Sequence, residues 1–67
     1  MKIIRTCIYP KDVQCITGRS ERSGRRLLNE IKIYFGKSSH QFVTSKEFAE
    51  YSGINIEVVN EYLQKVS

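Results

Sequence analysis

ITGRSERSGRRLL, Ile16 to Leu28, holds four arginines and two glycines in thirteen residues. Gly18 can take the left-handed backbone conformation that ends a helix. Ser20 is a good cap for the helix that follows, and Glu21 in its first turn suits the positive end of the helix dipole. From there Gly24, Leu27, Leu28, Ile31, Tyr34 and Phe35 fall at i, i+3, i+4, i+7, i+10 and i+11, one face of an α-helix. Arg22, Arg25, Arg26, Asn29 and Lys32 fall on the opposite side. The stretch therefore predicts a turn and then a helix over 20–35, apolar on one face and cationic on the other. A glycine inside a helix costs about 1 kcal/mol relative to alanine, so Gly24 implies that another helix comes close at that point.

Upstream, KIIRTCIY at 2–9 is rich in β-branched and aromatic residues and predicts an extended arm or short edge strand. Pro10 suits the first turn of a helix, where its missing N–H costs nothing, and that helix runs to about Thr17. Downstream, Gly36 stops the long helix and residues 37–40 form a polar loop. TSKE, Thr44 to Glu47, is a capping box, with Val43 and Phe48 placed as a hydrophobic staple. The helix it opens runs to Ser52 and breaks at Gly53. Asn55 caps a last helix with Ile56, Val59, Leu63 and Val66 on one stripe and Val58 and Tyr62 beside it.

The two glycine turns align. DVQCITGRSERSGRRLL (12–28) lies over EFAEYSGINIEVVNEYL (47–63) at an offset of thirty-five residues, with Asp12 on Glu47, Val13 on Phe48, Ile16 on Tyr51, Thr17 on Ser52, Gly18 on Gly53 and Leu28 on Leu63. Two copies are too few for a solenoid. They predict one all-α domain over 1–67, with about four helices and a short N-terminal strand. Its parts are an arm at 1–9, a basic helix-turn-helix unit at 10–36 and an acidic helix-turn-helix-like unit at 43–66.

Charge divides along the same line. Residues 1–37 carry nine basic and three acidic side chains, a balance of +6; residues 38–67 carry two basic and four acidic, a balance of −2. Such asymmetry points to a polyanionic partner for one half only. Lys2, Arg5 and Lys11 can extend the basic surface. No run of apolar residues reaches the length of a membrane span, and Arg5 interrupts the N-terminal isoleucines before a signal-peptide core can form, so no membrane role and a cytoplasmic location are expected. Cys7, Cys15 and His40 do not have metal-ligand spacing, and the thiols read as reduced and mostly buried. No nucleophile–base set, phosphate-cradling glycine loop or metal spacing is present in the sequence, so neither an enzyme, a cofactor nor a small-molecule substrate is expected. The four tyrosines, Tyr9, Tyr34, Tyr51 and Tyr62, read as core and rim packing.

EFAEYSGINIEVVNEYL resembles the DNA-binding headpiece of lac-repressor-type regulators. Ala49 and Ser52 supply the small contacts, Gly53 the turn, and Ile54 and Val59 the buried positions. The first unit is similar but looser, with Gln14, Arg19 and Gly24 where a small, an apolar and a β-branched residue are usual. The whole arrangement also resembles small bacterial proteins that carry Y-P-K-D-[IV]-Q, here Tyr9 to Gln14, and a later Q-F-V-T, here Gln41 to Thr44. The resemblance implies a non-enzymatic DNA-binding protein, such as a transcriptional regulator or an accessory protein of a mobile element.

Charge selects which unit faces the nucleic acid. Glu57 and Glu61 on the reading helix of the second unit would repel phosphates. Arg19, Ser20, Arg22, Ser23, Arg25, Arg26 and Lys32 belong to the first, and guanidinium grips phosphate bidentately or pairs with guanine O6 and N7. The expectation is that double-stranded DNA lies against residues 20–35. Ile56, Glu57, Glu61 and Val66 then offer a partner surface, for a second copy of the chain among others. The alternative is a protein-interaction module that uses the acidic unit and binds no nucleic acid.

Overall fold

The computed structural model describes residues 6–66, with the backbone alone at Val66. Lys2, Arg5 and the Val66 side chain, all singled out above, lie outside the described residues. The element order is β1 (Cys7–Ile8), α1 (Pro10–Thr17), α2 (Glu21–Tyr34), β2 (Val43–Thr44), α3 (Ser45–Ser52) and α4 (Ile56–Val66). The four helices lie where their caps and breakers predict. Among the described residues, no helix is long and apolar enough to cross a membrane.

The echo in the sequence is a duplication of local physics. Asp12 and Glu47 each reach back from the first turn of their helix to accept the backbone N–H of the residue before it, Tyr9 at 2.8 Å and Thr44 at 3.0 Å. Gly18 and Gly53 end the two short helices at φ 77° and 79°. Their N–H groups close onto Gln14 O at 2.8 Å and Ala49 O at 2.9 Å. Behind each glycine a hydroxyl turns the chain. Thr17 Oγ1 accepts from Arg19 N and Ser52 Oγ accepts from Ile54 N, both at 3.2 Å.

The strand β2 was not anticipated. It is two residues long, and its second residue also caps α3, so the capping box hides it in the sequence. β1 and β2 pair antiparallel, Ile8 opposite Val43 and Cys7 opposite Thr44. Ile8 thus faces its own counterpart thirty-five residues on, and the centre of the duplication falls on this ribbon. The next step in register brings Tyr9 beside Phe42, whose rings meet edge to face at 6.1 Å.

Counterparts also build the core. Ile8 and Val43, Val13 and Phe48, and Leu28 and Leu63 are all buried, and Leu27, Ile31, Ala49 and Val59 are buried with them. Helix α1 packs on α2, α3 on α4, and α2 on α3. Tyr62 on α4 reaches α1. Its phenol is pushed up to about 12, by burial first, then by hydrogen bonding to the Cys15 thiol and by the Asp12 charge.

The apolar stripes end sooner than their periodicity suggests. Tyr34 is 65% exposed, its ring edge-on to Phe35 and Tyr51. It sits at the rim in the last turn of α2, while Phe35 beside it packs against the core. Tyr9 and Tyr51 are also exposed, so of the four tyrosines Tyr62 alone is half-buried. Ile56 and Val58 face outward on α4. Cys15 is exposed and Cys7 half-buried, neither in a disulfide, which corrects the expectation of two buried thiols.

A Cβ added at Gly24 would stand 3.1 Å from the Pro10 carbonyl oxygen and 3.4 Å from Val13 Cβ. This is the close helix approach that Gly24 implied. Gly24→Ala gains about 1 kcal/mol of helix propensity and loses about 1–3 kcal/mol to overpacking against backbone. The expected net effect is a loss of about 1 kcal/mol, read as a lower urea midpoint. An unchanged midpoint would show that α1 and α2 have room to spare.

A second prediction concerns pH. Burial alone would raise the Glu47 pKa, but hydrogen bonds from the Thr44 backbone and from Lys37 Nζ outweigh it and hold the carboxyl below its ordinary 4.5. A pKa depressed by folding adds stability above the unfolded value and loses it as pH falls through the folded one. Glu47→Gln should therefore be less stable than the native chain above pH 4.5, with the gap closing as pH drops below it. Urea titrations at several pH values test this, and a pH-independent gap would contradict it.

Candidate nucleic-acid interface

The basic surface is built by the turn after α1. Gly18 reverses the chain, and Ser20 caps α2 by accepting the Ser23 N–H at 3.2 Å. Arg19 Nη1 donates to Ser23 Oγ at 3.0 Å, which draws the first guanidinium over the same turn. Backbone N–H groups without intrahelical partners emerge at this end of the helix, where the dipole favours an anion.

The arginines of α2 are exposed, as the periodicity predicts. They are not equivalent. Arg25 Nη2 pairs with Glu21 Oε1 at 2.7 Å. Both side chains are more than half exposed, so the pair contributes about 0.3–0.5 kcal/mol and exchanges readily for another anion. Arg22 and Arg26 have neither a hydrogen-bond nor an ion-pair partner among the described residues, and Arg26 leaves Glu30 alone. One helical turn apart, they lie one above the other on the same face. With Ser20 and Ser23 they enclose a shallow concavity of about 310 Å³.

Lys32 departs from this pattern. It is half-buried, and its ammonium donates to the Ser39 carbonyl at 2.8 Å, pinning the 37–41 loop to α2. The same loop closes on itself through Gln41 Oε1, which accepts from Ser38 N at 2.7 Å. Lys32 is therefore a brace for the loop as well as a cation.

The acidic unit presents the same geometry with the charges reversed. Glu57 and Glu61 are the counterparts of Arg22 and Arg26, at the same thirty-five-residue offset, and both are exposed. Asn55, the counterpart of Ser20, accepts the Glu57 N–H at 2.8 Å. Ile56 is 37% and Val58 51% exposed beside them. One backbone plan thus carries a cationic helix start in one half and an anionic, partly apolar one in the other.

A second concavity, of about 270 Å³, lies between the ribbon and α2. Ile8, Leu28 and Val43 line it, with Tyr9 and Phe42 from the strand ends and Arg25, Asn29 and Lys32 from the helix. Phe42, part of the Q-F-V-T stretch, was not singled out in the sequence, because its place beside Tyr9 depends on the unanticipated strand pairing. Among the described residues no cluster of His, Cys, Asp or Glu could hold a metal ion. Set against known protein families, characterised proteins and solved structures, the chain matches none of them.

Because Arg22 and Arg26 touch neither core nor partner, the fold should not need them. Arg22→Gln with Arg26→Gln is expected to change unfolding free energy by no more than about 0.5 kcal/mol, the range of surface substitutions. A larger loss in urea unfolding would assign these arginines to structural support.

Proposed function

We propose that the chain is a non-enzymatic DNA-binding protein that lays the N-terminal half of α2 against a duplex, in the manner of a small bacterial transcriptional regulator or a mobile-element accessory protein. The observation that carries this reading is the unpaired stack of Arg22 and Arg26 on the exposed face of α2. Two uncompensated guanidinium groups, a third in an exchangeable pair and the open N-terminus of a helix make a surface that favours phosphate. An α-helix fits the major groove, where the same guanidinium groups can reach guanine O6 and N7. Lac-repressor-type headpieces use such a helix pair, and the resemblance of the glycine turns adds to the reading.

The electrostatic part is measurable. If four to six cations each neutralise a phosphate, duplex affinity should fall with salt at a log–log slope of about −4 to −5. Arg22→Gln with Arg26→Gln should lower the magnitude of that slope by about 2, one unit for each lost phosphate contact. Fluorescence anisotropy with generic duplex DNA across a salt series gives both numbers. A slope near zero for the native chain overturns the proposal.

Exposed Ile56 and Val58 beside Glu57 and Glu61 favour a second reading, in which the acidic unit docks a basic protein. Under that reading no duplex binds, and Glu57→Lys with Glu61→Lys removes the partner in a pull-down.

A further inference from the structure

We infer that the groove between the ribbon and α2 receives an unpaired nucleotide of the bound strand. The inference rests on the nucleic-acid reading above and names a second contact within it. Ile8, Leu28 and Val43 give the groove an apolar floor, and the Tyr9 and Phe42 rings stand at its mouth with 43% and 58% of their surface exposed. Asn29 on α2 supplies an amide, which can donate to and accept from a base edge. Arg25 and Lys32 supply positive charge on either side of it. Apolar floor, aromatic face, amide and cations together are what a nucleotide needs: stacking for the base, hydrogen bonds for its edge, charge for its phosphate.

The duplication provides an internal control. The counterparts of Tyr9, Phe42, Arg25 and Asn29 are Thr44, Cys7, Asn60 and Gln64. None of these four counterparts is aromatic or cationic. Tyr9 and Phe42 pack on each other and Arg25 pairs with Glu21, but neither contact can recur at the counterpart positions, so their presence on one side points to a ligand there.

Position adds to chemistry. Arg25 lines this groove, while Arg22 and Arg26 line the concavity at the start of the same helix. From Arg22 to Lys32 the helix rises about 15 Å, roughly the length of four nucleotides of a duplex strand. A strand that follows the arginines arrives at the rings. The volume of about 270 Å³ lies at the small end of ligand sites and suits a single ring system.

The test compares two DNAs by anisotropy: a short blunt duplex and the same duplex with a single-stranded oligothymidine tail. The native chain should bind the tailed form about tenfold more tightly, the contribution of one stacked base. Tyr9→Leu with Phe42→Leu, which keeps apolar bulk and removes the rings, should abolish that preference and leave blunt-duplex affinity unchanged. Circular dichroism checks that this variant folds. Arg22→Gln with Arg26→Gln should weaken both forms alike and preserve their ratio. Equal affinity of the native chain for the two DNAs overturns the groove while the duplex reading stands. A tail preference that survives loss of both rings also overturns it. Binding of neither DNA removes the duplex reading and the groove together.

Discussion

The contact between Ile8 and Val43 across the ribbon is the constraint from which the rest of the structure follows. Each residue precedes a capped short helix, and each is buried. Their pairing joins two helix pairs, neither of which has enough apolar surface to stand alone. A chain of this size buries only about 60% of its unfolded surface, so a single helix pair would bury less. The ribbon lets two copies of one plan share an interior, with Val13 and Phe48 and then Leu28 and Leu63 filling corresponding places in it. Two strand residues per side suffice because the ribbon aligns the helix pairs, and helix packing supplies most of the burial.

A shared plan separates what the fold needs from what it tolerates. The glycine turns, the acidic residues that accept the cap N–H groups and the central aliphatics recur in both halves. The outer residues at the start of the long helices do not recur: Arg22 stands opposite Glu57 in the alignment, and Arg26 opposite Glu61. Exposed charges of this kind change stability by about 0.5 kcal/mol or less, so folding is nearly indifferent to their sign. Partner recognition is not indifferent, since a surface of single sign attracts or repels a polyanion over about a Debye length, roughly 8 Å at physiological salt. The opposite charges on equivalent helices are thus left free by folding, and the duplex reading proposed above assigns the cationic one to a polyanion.

Much of the fold was legible because its punctuation is chemical. Gly18 and Gly53 mark turns, Ser20, Thr44 and Asn55 mark helix starts, and the Leu27, Leu28, Ile31 spacing marks a buried face, all through rules that act within a few residues. The ribbon was not legible, because β1 and β2 are too short to show a period and owe their existence to contacts thirty-five residues apart. Tyr9 packs at the rim as expected, but its ring partner Phe42 is set by the strand pairing. Tyr34 continues the helical period to the rim, where its ring meets Phe35 and Tyr51 and stays largely exposed. Lys32 lay on the cationic face as expected, but its bond to the Ser39 carbonyl depends on how the 37–41 loop folds back.

The difference between Arg25 and its neighbours bears on how the basic face acts. Its bond to Glu21 is exposed and inexpensive to break, yet it holds the guanidinium along the helix in the free protein. Under the duplex reading proposed above, Arg22 and Arg26, with no such tie, meet an approaching phosphate first. Glu21 sets a carboxylate beside these cations, and the Arg25 guanidinium neutralises it. Removing Glu21 therefore has two opposed consequences: it frees a cation and removes a repulsive charge, but it also takes an acid from the first turn of α2, where it complements the dipole. The first two effects belong to the bound state and the third to the helix itself. In the proposed reading Glu21 thus trades affinity for helix stability at a point where Ser20 already supplies a cap.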